Sequence, residues 1–219
     1  MLLWIFIIIF FLLIIFILNF IVHWAFYFKR GEYKDKSSKF FSIIMIITIG
    51  LIPIINSSFF QPFFKENFSY FGQYWTWFLI IGIIFIGIGL KIRSLALKAL
   101  NVKKIDVKQL ELIRKDIFAI IRHPIYLSWI LMFFGIAIIL DSFIALIFCP
   151  ILTIFIEFLG FFEEKYILIP EFRKKYKNYK KKTPNRLIAP PYNYILIIIA
   201  IITVYIGFLN FSKMVLLNK

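Results

Sequence analysis

Long apolar runs alternate with short basic blocks along this chain, and that alternation constrains the fold more than any other feature. A helix that crosses a bilayer needs about 20 mostly apolar residues. Six runs approach that length and are candidate spans: Leu2–Phe26, Phe40–Phe60, Tyr74–Leu90, Ile125–Leu140, Phe143–Phe162 and Tyr194–Phe211. The pattern predicts an all-α, polytopic integral membrane protein with about six transmembrane helices.

The composition agrees with a chain that faces lipid. Hydrophobic residues make up 62% of the chain and the mean hydropathy is +0.91, whereas a soluble domain is about half apolar. A net charge of +15 would suggest nucleic acid in a soluble protein, but these charges lie between apolar runs, so no nucleic-acid partner is expected. The single cysteine, Cys149, excludes a disulfide framework and a Cys/His zinc pattern, and no metal site is predicted.

The distribution of basic residues predicts the orientation in the membrane. Of the 26 Lys and Arg residues, 23 fall in the first, third and fifth loops between the candidate spans. By the positive-inside rule these loops face the cytoplasm and both termini lie outside. Only the third loop, Lys91–Arg122, and the fifth, Glu163–Tyr192, are long enough to build a cytoplasmic cap.

Two short features predict how the central spans pack. The fourth and fifth spans are joined by little more than Asp141–Ser142, so they form an antiparallel hairpin, and either residue can cap the second helix. Gly82 and Gly89 are seven residues apart on one helical face, which predicts close helix packing.

Arg122, His123 and Pro124 stand together where the fourth span begins. Proline favours the first position of a helix, and the opening turn then offers free backbone N–H groups and the positive end of the helix dipole. This predicts a pocket for a carboxylate or phosphate at the membrane surface. The alternative is an interfacial anchor, with Arg122 on lipid headgroups and Tyr126 and Trp129 in an aromatic belt.

Acidic residues cluster at the end of the fifth span. Glu157, Gly160 and Glu164 share a helical face, and Glu157 lies within the span near its cytoplasmic edge, where an ionisable residue is a functional candidate. Glu163 and Glu164 oppose the positive loops, which hints that they neutralise something cationic. The alternative is that these carboxylates reach the interface or pair with nearby lysines.

The segment 171–184, EFRKKYKNYKKKTP, follows this cluster. It places Phe172, Tyr176 and Tyr179 on one helical face, with lysines elsewhere. Such a pattern predicts an amphipathic helix that lies on an anionic leaflet.

Three separated blocks resemble a known family. The RHPIY block at 122–126, the Glu163-Glu164 pair after an apolar hairpin, and FRKKYKNYKKKTPNRLIAP at 172–190 resemble the isoprenylcysteine carboxyl methyltransferase family, part of a wider group of membrane methyltransferases that includes phospholipid methyltransferases. The resemblance covers about residues 89–190. It implies an S-adenosylmethionine cofactor bound on the cytoplasmic side, with N-terminal transmembrane helices over 1–90, a methyltransferase core over 91–192 and a C-terminal transmembrane helix over 193–219.

The resemblance also implies the site residues. The cofactor-binding positions are Leu112, Ile113, Phe118, His123, Pro124, Ile125, Tyr126, Glu163 and Glu164. Arg122 and Glu157 are the predicted catalytic residues. In this hypothesis Glu164 holds a polar or cationic part of the cofactor, His123 and the helix start hold its carboxylate, and Glu157 faces the substrate.

The chain departs from the family pattern at two places. Asp116-Ile117-Phe118 stands where the pattern has G-x-Y, so a hydroxyl is lost. In the prenylcysteine enzymes an arginine near the position of Gly160 binds the substrate carboxylate, and Glu157 would repel such a group. The predicted acceptor is therefore a lipophilic small molecule or lipid-modified substrate, with an amine or thiol fitting better than a prenylcysteine acid. The alternative function is a non-catalytic lipid-binding or assembly protein that retains the fold.

Overall fold

A computed structural model describes residues 71–101 and 112–188 without interruption, and single helical residues at 43, 47, 50, 52–54 and between 194 and 209. The chain divides into two compact units, Met1–Ile52 and Pro53–Lys219. In the first unit the described residues, Ile43, Ile47, Gly50 and Ile52, are all helical. The first, second and sixth candidate spans lie wholly or largely outside the described residues.

Helices make up all the regular structure in the described part of the second unit. Over residues 71–101 and 112–188, a 3₁₀ turn, a π-helical turn and five α-helices occur in the order Gly72–Tyr74 (3₁₀), α1 Trp75–Asn101, α2 Ile117–Ile120, α3 Pro124–Ile139, α4 Phe143–Glu163, Glu164–Leu168 (π) and α5 Ile169–Lys182. The all-α prediction is confirmed for these residues.

The third, fourth and fifth candidate spans each form a helix, but one predicted boundary is wrong. The third loop was expected to begin at Lys91, whereas α1 continues to Asn101. Lysine, arginine, alanine and leucine are all good helix formers, so the basic residues Arg93 and Lys98 extend the helix. The change in polarity at Lys91 marks the end of the apolar stretch and not the end of the helix.

One helix among the described residues, Gly72–Leu100, is long and apolar enough to cross a membrane, with a mean hydropathy of 2.1. The apolar helix Pro124–Ile139, with 16 residues, is shorter than a helix needs to be to cross a membrane without tilt or flanking residues. The number of spans and the cytoplasmic orientation therefore stay predictions from the sequence.

The hairpin of α3 and α4 is confirmed, and its turn uses the two polar residues differently. Ser142 caps α4, since its Oγ accepts from the Ala145 N–H at 3.4 Å. Asp141 is buried and accepts from the Phe71 N–H at 3.2 Å. One side chain thus starts α4, while the other holds the chain before α1 against the turn.

Close packing of α1 on α3 through glycines is also confirmed. A Cβ atom at Gly135 would lie 2.7 Å from the Gly82 carbonyl oxygen and 3.1 Å from the Ile86 nitrogen. A Cβ at Gly89 would lie 3.1 Å from the Ser128 carbonyl oxygen. Because glycine has no side chain, the backbones of α1 and α3 touch at these positions. This contact fixes the position of α3 and of the turn at its start.

We expect Gly135→Ala to lower the melting temperature of the detergent-solubilised protein. Two of the three atoms that the new methyl group would meet, the Gly82 oxygen and the Ile86 nitrogen, belong to backbone, which cannot turn aside, and overpacking of this kind costs about 1–3 kcal/mol. Gly87→Ala is the matched control, because nothing lies within 4 Å of its Cβ position. Equal melting temperatures for the two variants would contradict the packing argument.

Candidate functional site

The start of α3, the end of α4 and the segment after α5 meet at one place. The Arg122 N–H donates to the Asn185 carbonyl at 3.1 Å, and the His123 N–H donates to the Arg186 carbonyl at 2.9 Å. Two successive backbone hydrogen bonds therefore hold residues 185–186 beside residues 122–123. This pairing brings the Arg186 side chain to the end of α4.

The turn before α3 has the predicted geometry. Pro124 is the first residue of α3 and His123 precedes it as the capping residue. The Tyr126 ring stacks on the His123 ring with centroids 5.3 Å apart, and Trp129 lies 5.5 Å from Tyr126. Trp129 is only 2% exposed and Arg122 is buried, so these side chains are inside the protein and do not form the alternative interfacial anchor.

Glu164 is the centre of the site. Its Oε1 atom accepts from Arg122 Nε at 2.8 Å and from Arg186 Nε at 3.1 Å, and it lies 3.3 Å from His123 Nε2. The side chain is 1% exposed, and a buried charge is tolerated only when it is paired in this way. Lys180 Nζ, on α5, is 3.1 Å from the second oxygen, Oε2.

These contacts set the charge states of the cluster. Burial would raise the pKa of Glu164, but hydrogen bonds from His123, Arg186 and Arg122 outweigh it and hold that pKa well below its usual range. Burial would lower the pKa of His123, but its contacts with Glu163 and Glu164 raise it more, so the net shift is upward. His123 Nδ1 lies 3.4 Å from Glu163 Oε2. The geometry therefore favours an ionised Glu164 and a protonated His123.

Arg186 joins Glu157 to this cluster. Glu157 Oε2 accepts from Arg186 Nη1 at 2.6 Å, so a single guanidinium bridges Glu157 and Glu164. The alternative in which Glu157 pairs with a loop lysine is wrong in detail, because its partner is a loop arginine. Sequence reasoning did not single out Arg186, since a pair 29 residues apart leaves no periodic signal. Its one signal was its place in the 172–190 block.

Arg122 has an internal set of partners. Besides Glu164, its guanidinium donates through Nη1 to the Thr183 carbonyl at 2.6 Å and to the Pro184 carbonyl at 2.5 Å. Thr183 Oγ1 in turn donates to the Ala119 carbonyl at 3.1 Å. Arg122 therefore fixes the segment after α5 against the turn before α3.

The aromatic face of α5 packs on the protein. Tyr176 and Tyr179 are buried, and the Tyr179 hydroxyl donates to the Phe118 carbonyl at 2.6 Å. The expectation that this face lies on an anionic leaflet is wrong for these two tyrosines. An apolar face shows that a helix needs a partner, but its pattern does not distinguish lipid from protein.

The predicted cofactor positions fall into two groups. His123, Glu163 and Glu164 are in direct contact, and Pro124, Ile125 and Tyr126 form the adjoining first turn of α3. Leu112, Ile113 and Phe118 precede that turn and are half-buried, with Phe118 tied to α5 through Tyr179. The roles of all these residues stay predictions.

The opposite pKa shifts predict how stability depends on pH. Folding raises the pKa of His123, so its stabilising contribution is complete below its ordinary pKa of 6.5 and is lost as the pH rises through the raised value. Folding lowers the pKa of Glu164, so its contribution is complete above 4.5 and is lost as the pH falls through the lowered value. The stabilising contributions of His123 and Glu164 are therefore both complete between pH 4.5 and pH 6.5.

We therefore expect the difference in melting temperature between the wild type and His123→Gln to be largest below pH 6.5 and to narrow above it. Intrinsic fluorescence of the detergent-solubilised proteins, followed through thermal unfolding at a series of pH values, measures this difference. A difference that widens as the pH rises would show that the imidazole is held neutral instead.

Comparison with known proteins gives one match. Residues 77–175 match the family model described as phospholipid methyltransferase. The matched segment contains most of α1, the turn before α3, the hairpin and the acidic pair, and it confirms the resemblance to the membrane methyltransferases. No curated protein and no solved structure matches the chain.

Proposed function

We propose that this chain, whose residues 77–175 match the phospholipid methyltransferase family model, transfers a methyl group from S-adenosylmethionine to a lipophilic acceptor at the membrane. One observation carries the proposal. The turn at the start of α3 and the acidic pair at the end of α4, which the resemblance assigns to one cofactor, are joined through the buried Glu164.

The site has polar atoms that fit this cofactor. The Tyr176 hydroxyl is buried and makes no hydrogen bond, and an unsatisfied buried group costs about 1–3 kcal/mol. Burial and the Glu164 charge both raise the pKa of Tyr176, so its hydroxyl stays protonated near that carboxylate. Glu164 Oε2 has only an ion-pair contact with Lys180, a half-exposed side chain that can move away. The ammonium group of the cofactor would take the place of Lys180 at this oxygen.

In the proposal most of the site residues bind the cofactor, and one residue, Arg122, positions the others. In the proposal, His123 and the free N–H groups of the first α3 turn hold the cofactor carboxylate, and Glu164 with Glu163 holds its cationic part. Arg122, predicted to be catalytic, is instead assigned a positioning role, because its guanidinium holds Glu164 and two backbone carbonyls. The remaining positions that the resemblance assigns to cofactor binding are Leu112, Ile113, Phe118, Pro124, Ile125 and Tyr126.

Methyl transfer requires the protein to align the two reactants and to exclude water from the site. When bound, S-adenosylmethionine would supply an electrophilic methyl group: the acceptor would bond to this carbon by in-line displacement as the carbon–sulfur bond breaks and S-adenosylhomocysteine leaves. The chain must hold the nucleophile in line, which contributes several kcal/mol, and must exclude water. In the proposal Glu157 holds the nucleophile in line, which is supported by its side chain being 41% exposed on α4 and tied by Arg186 to the cofactor cluster.

The surroundings of Glu157 indicate the acceptor class. Ile154 and Phe158 on the same helix are exposed, which provides an apolar approach for a lipophilic molecule. Arg186, the ion-pair partner of Glu157, also donates to Glu164, so its guanidinium is already shared between two carboxylates. A neutral thiol or a protonated amine suits the Glu157 carboxylate better than a carboxylic acid does. Glu157 would then pair with the acceptor and act as the base that takes its proton, which frees the lone pair for attack on the methyl group.

We expect the wild type in lipid nanodiscs to bind S-adenosylmethionine. Glu164→Gln and His123→Ala should each weaken binding by about tenfold or more, because a charged hydrogen bond contributes about 1.5–3 kcal/mol. Isothermal titration calorimetry measures the dissociation constant, and melting temperatures establish that each variant is folded. Glu171→Gln, an exposed carboxylate on α5, is the matched control. A folded wild type that does not bind overturns the proposal and favours a non-catalytic lipid-binding or assembly role.

Transfer of a tritiated methyl group tests the acceptor class. Phosphatidylethanolamine, a long-chain alkyl thiol and a prenylcysteine acid serve as the three acceptors in nanodiscs. We expect the amine or the thiol to be methylated at least about tenfold faster than the acid, because Glu157 repels an anion. Efficient methylation of the acid would refute the argument from local charge.

A further inference from the structure

We propose that Arg186 is a positioning residue that fixes Glu157 at the methyl-transfer site, and that position 160 is a glycine because the Arg186 side chain crosses α4 there. The inference rests on the proposed function, since it assigns Arg186 a part in aligning the acceptor. It concerns a residue outside the matched segment, residues 77–175.

Arg186 is held at its backbone and at its side chain. Its carbonyl accepts from the His123 N–H at 2.9 Å, so the residue is tied to the turn before α3. Its Nε donates to Glu164 at 3.1 Å, and its Nη1 donates to Glu157 at 2.6 Å. The planar guanidinium presents these donors in a fixed fork, so the separation of the two carboxylates is set by one rigid group.

Gly160 provides the space through which the arginine passes. A Cβ atom at this position would lie 2.9 Å from Arg186 Cδ and 3.6 Å from His123 Cδ2. Even a methyl group would push the arginine stem away from α4. Glycine is therefore required by a close side-chain approach, in the middle of a helix where it otherwise costs about 1 kcal/mol relative to alanine.

The two carboxylates depend on Arg186 to different degrees. Glu164 is 1% exposed and keeps Arg122 and His123 as partners when Arg186 is removed. Glu157 is 41% exposed, and within the described residues Arg186 is its one ion-pair partner. Loss of Arg186 should therefore leave the cofactor cluster largely intact while Glu157 becomes free to rotate. The effect should fall on the step that involves the acceptor.

The test compares Arg186→Gln, Arg186→Lys and Gly160→Ala in nanodiscs. Arg114→Gln, which removes an exposed guanidinium, and Gly87→Ala, in open space, are the matched controls. The dissociation constant of S-adenosylmethionine and the steady-state kinetics of methyl transfer are measured for each. The acceptor is whichever of phosphatidylethanolamine, the alkyl thiol and the prenylcysteine acid the wild type methylates fastest.

Arg186→Gln and Gly160→Ala should keep the cofactor dissociation constant within about threefold while kcat/KM for the acceptor falls by about tenfold or more, because small misplacements slow chemistry strongly. Arg186→Lys should lie between, since an ammonium group keeps the charge but lacks the fork. Gly160→Ala keeps every charge. If Arg186→Gln does not fold, Gly160→Ala therefore tests on its own whether the position of the Arg186 side chain affects methyl transfer.

A double variant separates positioning from general structural support. If Arg186 acts through Glu157, adding Arg186→Gln to Glu157→Gln should slow transfer no further than Glu157→Gln alone. Three outcomes would each overturn the inference. The losses of transfer rate from Glu157→Gln and Arg186→Gln could be additive in the double variant, or transfer could be unchanged in both Arg186→Gln and Gly160→Ala. The third outcome is that a variant loses cofactor binding and transfer equally. A wild type that binds no cofactor or methylates none of the three acceptors overturns the proposed function itself, before any variant is compared.

Discussion

The buried carboxylate of Glu164 draws three separate parts of the chain to one point. Its Oε1 atom contacts Arg122, His123 and Arg186, which come from the turn before α3 and from the segment after α5. A buried carboxylate without partners would cost several kcal/mol, so this charge is compatible with the fold only when all these segments are in place. The group that the proposed cofactor would contact is thus the same group that organises the site.

The helical hairpin explains why Glu164 can reach its partners. Asp141 and Ser142 form a turn so short that α3 and α4 must run antiparallel from it. In such a pair, a residue a given number of positions after the turn faces one the same number before it. The last turns of α4, which carry Glu157 and Gly160, therefore lie across from Pro124 at the start of α3. The glycine contact of α1 with Gly135 then holds this hairpin in place.

Local sequence patterns were sufficient to predict the hairpin and about half of the site. Pro124 as a helix start, the turn at Asp141–Ser142, and the shared face of Glu157 and Glu164 all follow from signals within a few residues. The meeting of His123 with Glu164 was implied by the resemblance and by the same hairpin geometry.

The rest of the site lacks a local signal. Arg186 reaches Glu157 across 29 residues, along a path set by the hydrogen bonds of residues 185–186 with the turn before α3. The inward placement of Tyr176 and Tyr179 depends on what lies beneath α5, which their spacing does not encode. The extension of α1 past Lys91 was missed because polarity was used to place a helix end that backbone propensity determines.

The source of the cation near α4 bears on which acceptor the site prefers. An arginine carried on α4 itself would have all its donors available to an anionic acceptor. Arg186 arrives from another segment over Gly160 and already donates to Glu157 and Glu164, so two carboxylates compete with any incoming anion for one guanidinium. A protonated amine meets no such competition, because it can pair directly with the partly exposed Glu157 carboxylate. The occupied donors of Arg186 and the charge of Glu157, more than the absence of a side chain at position 160, are therefore what disfavour an acidic acceptor.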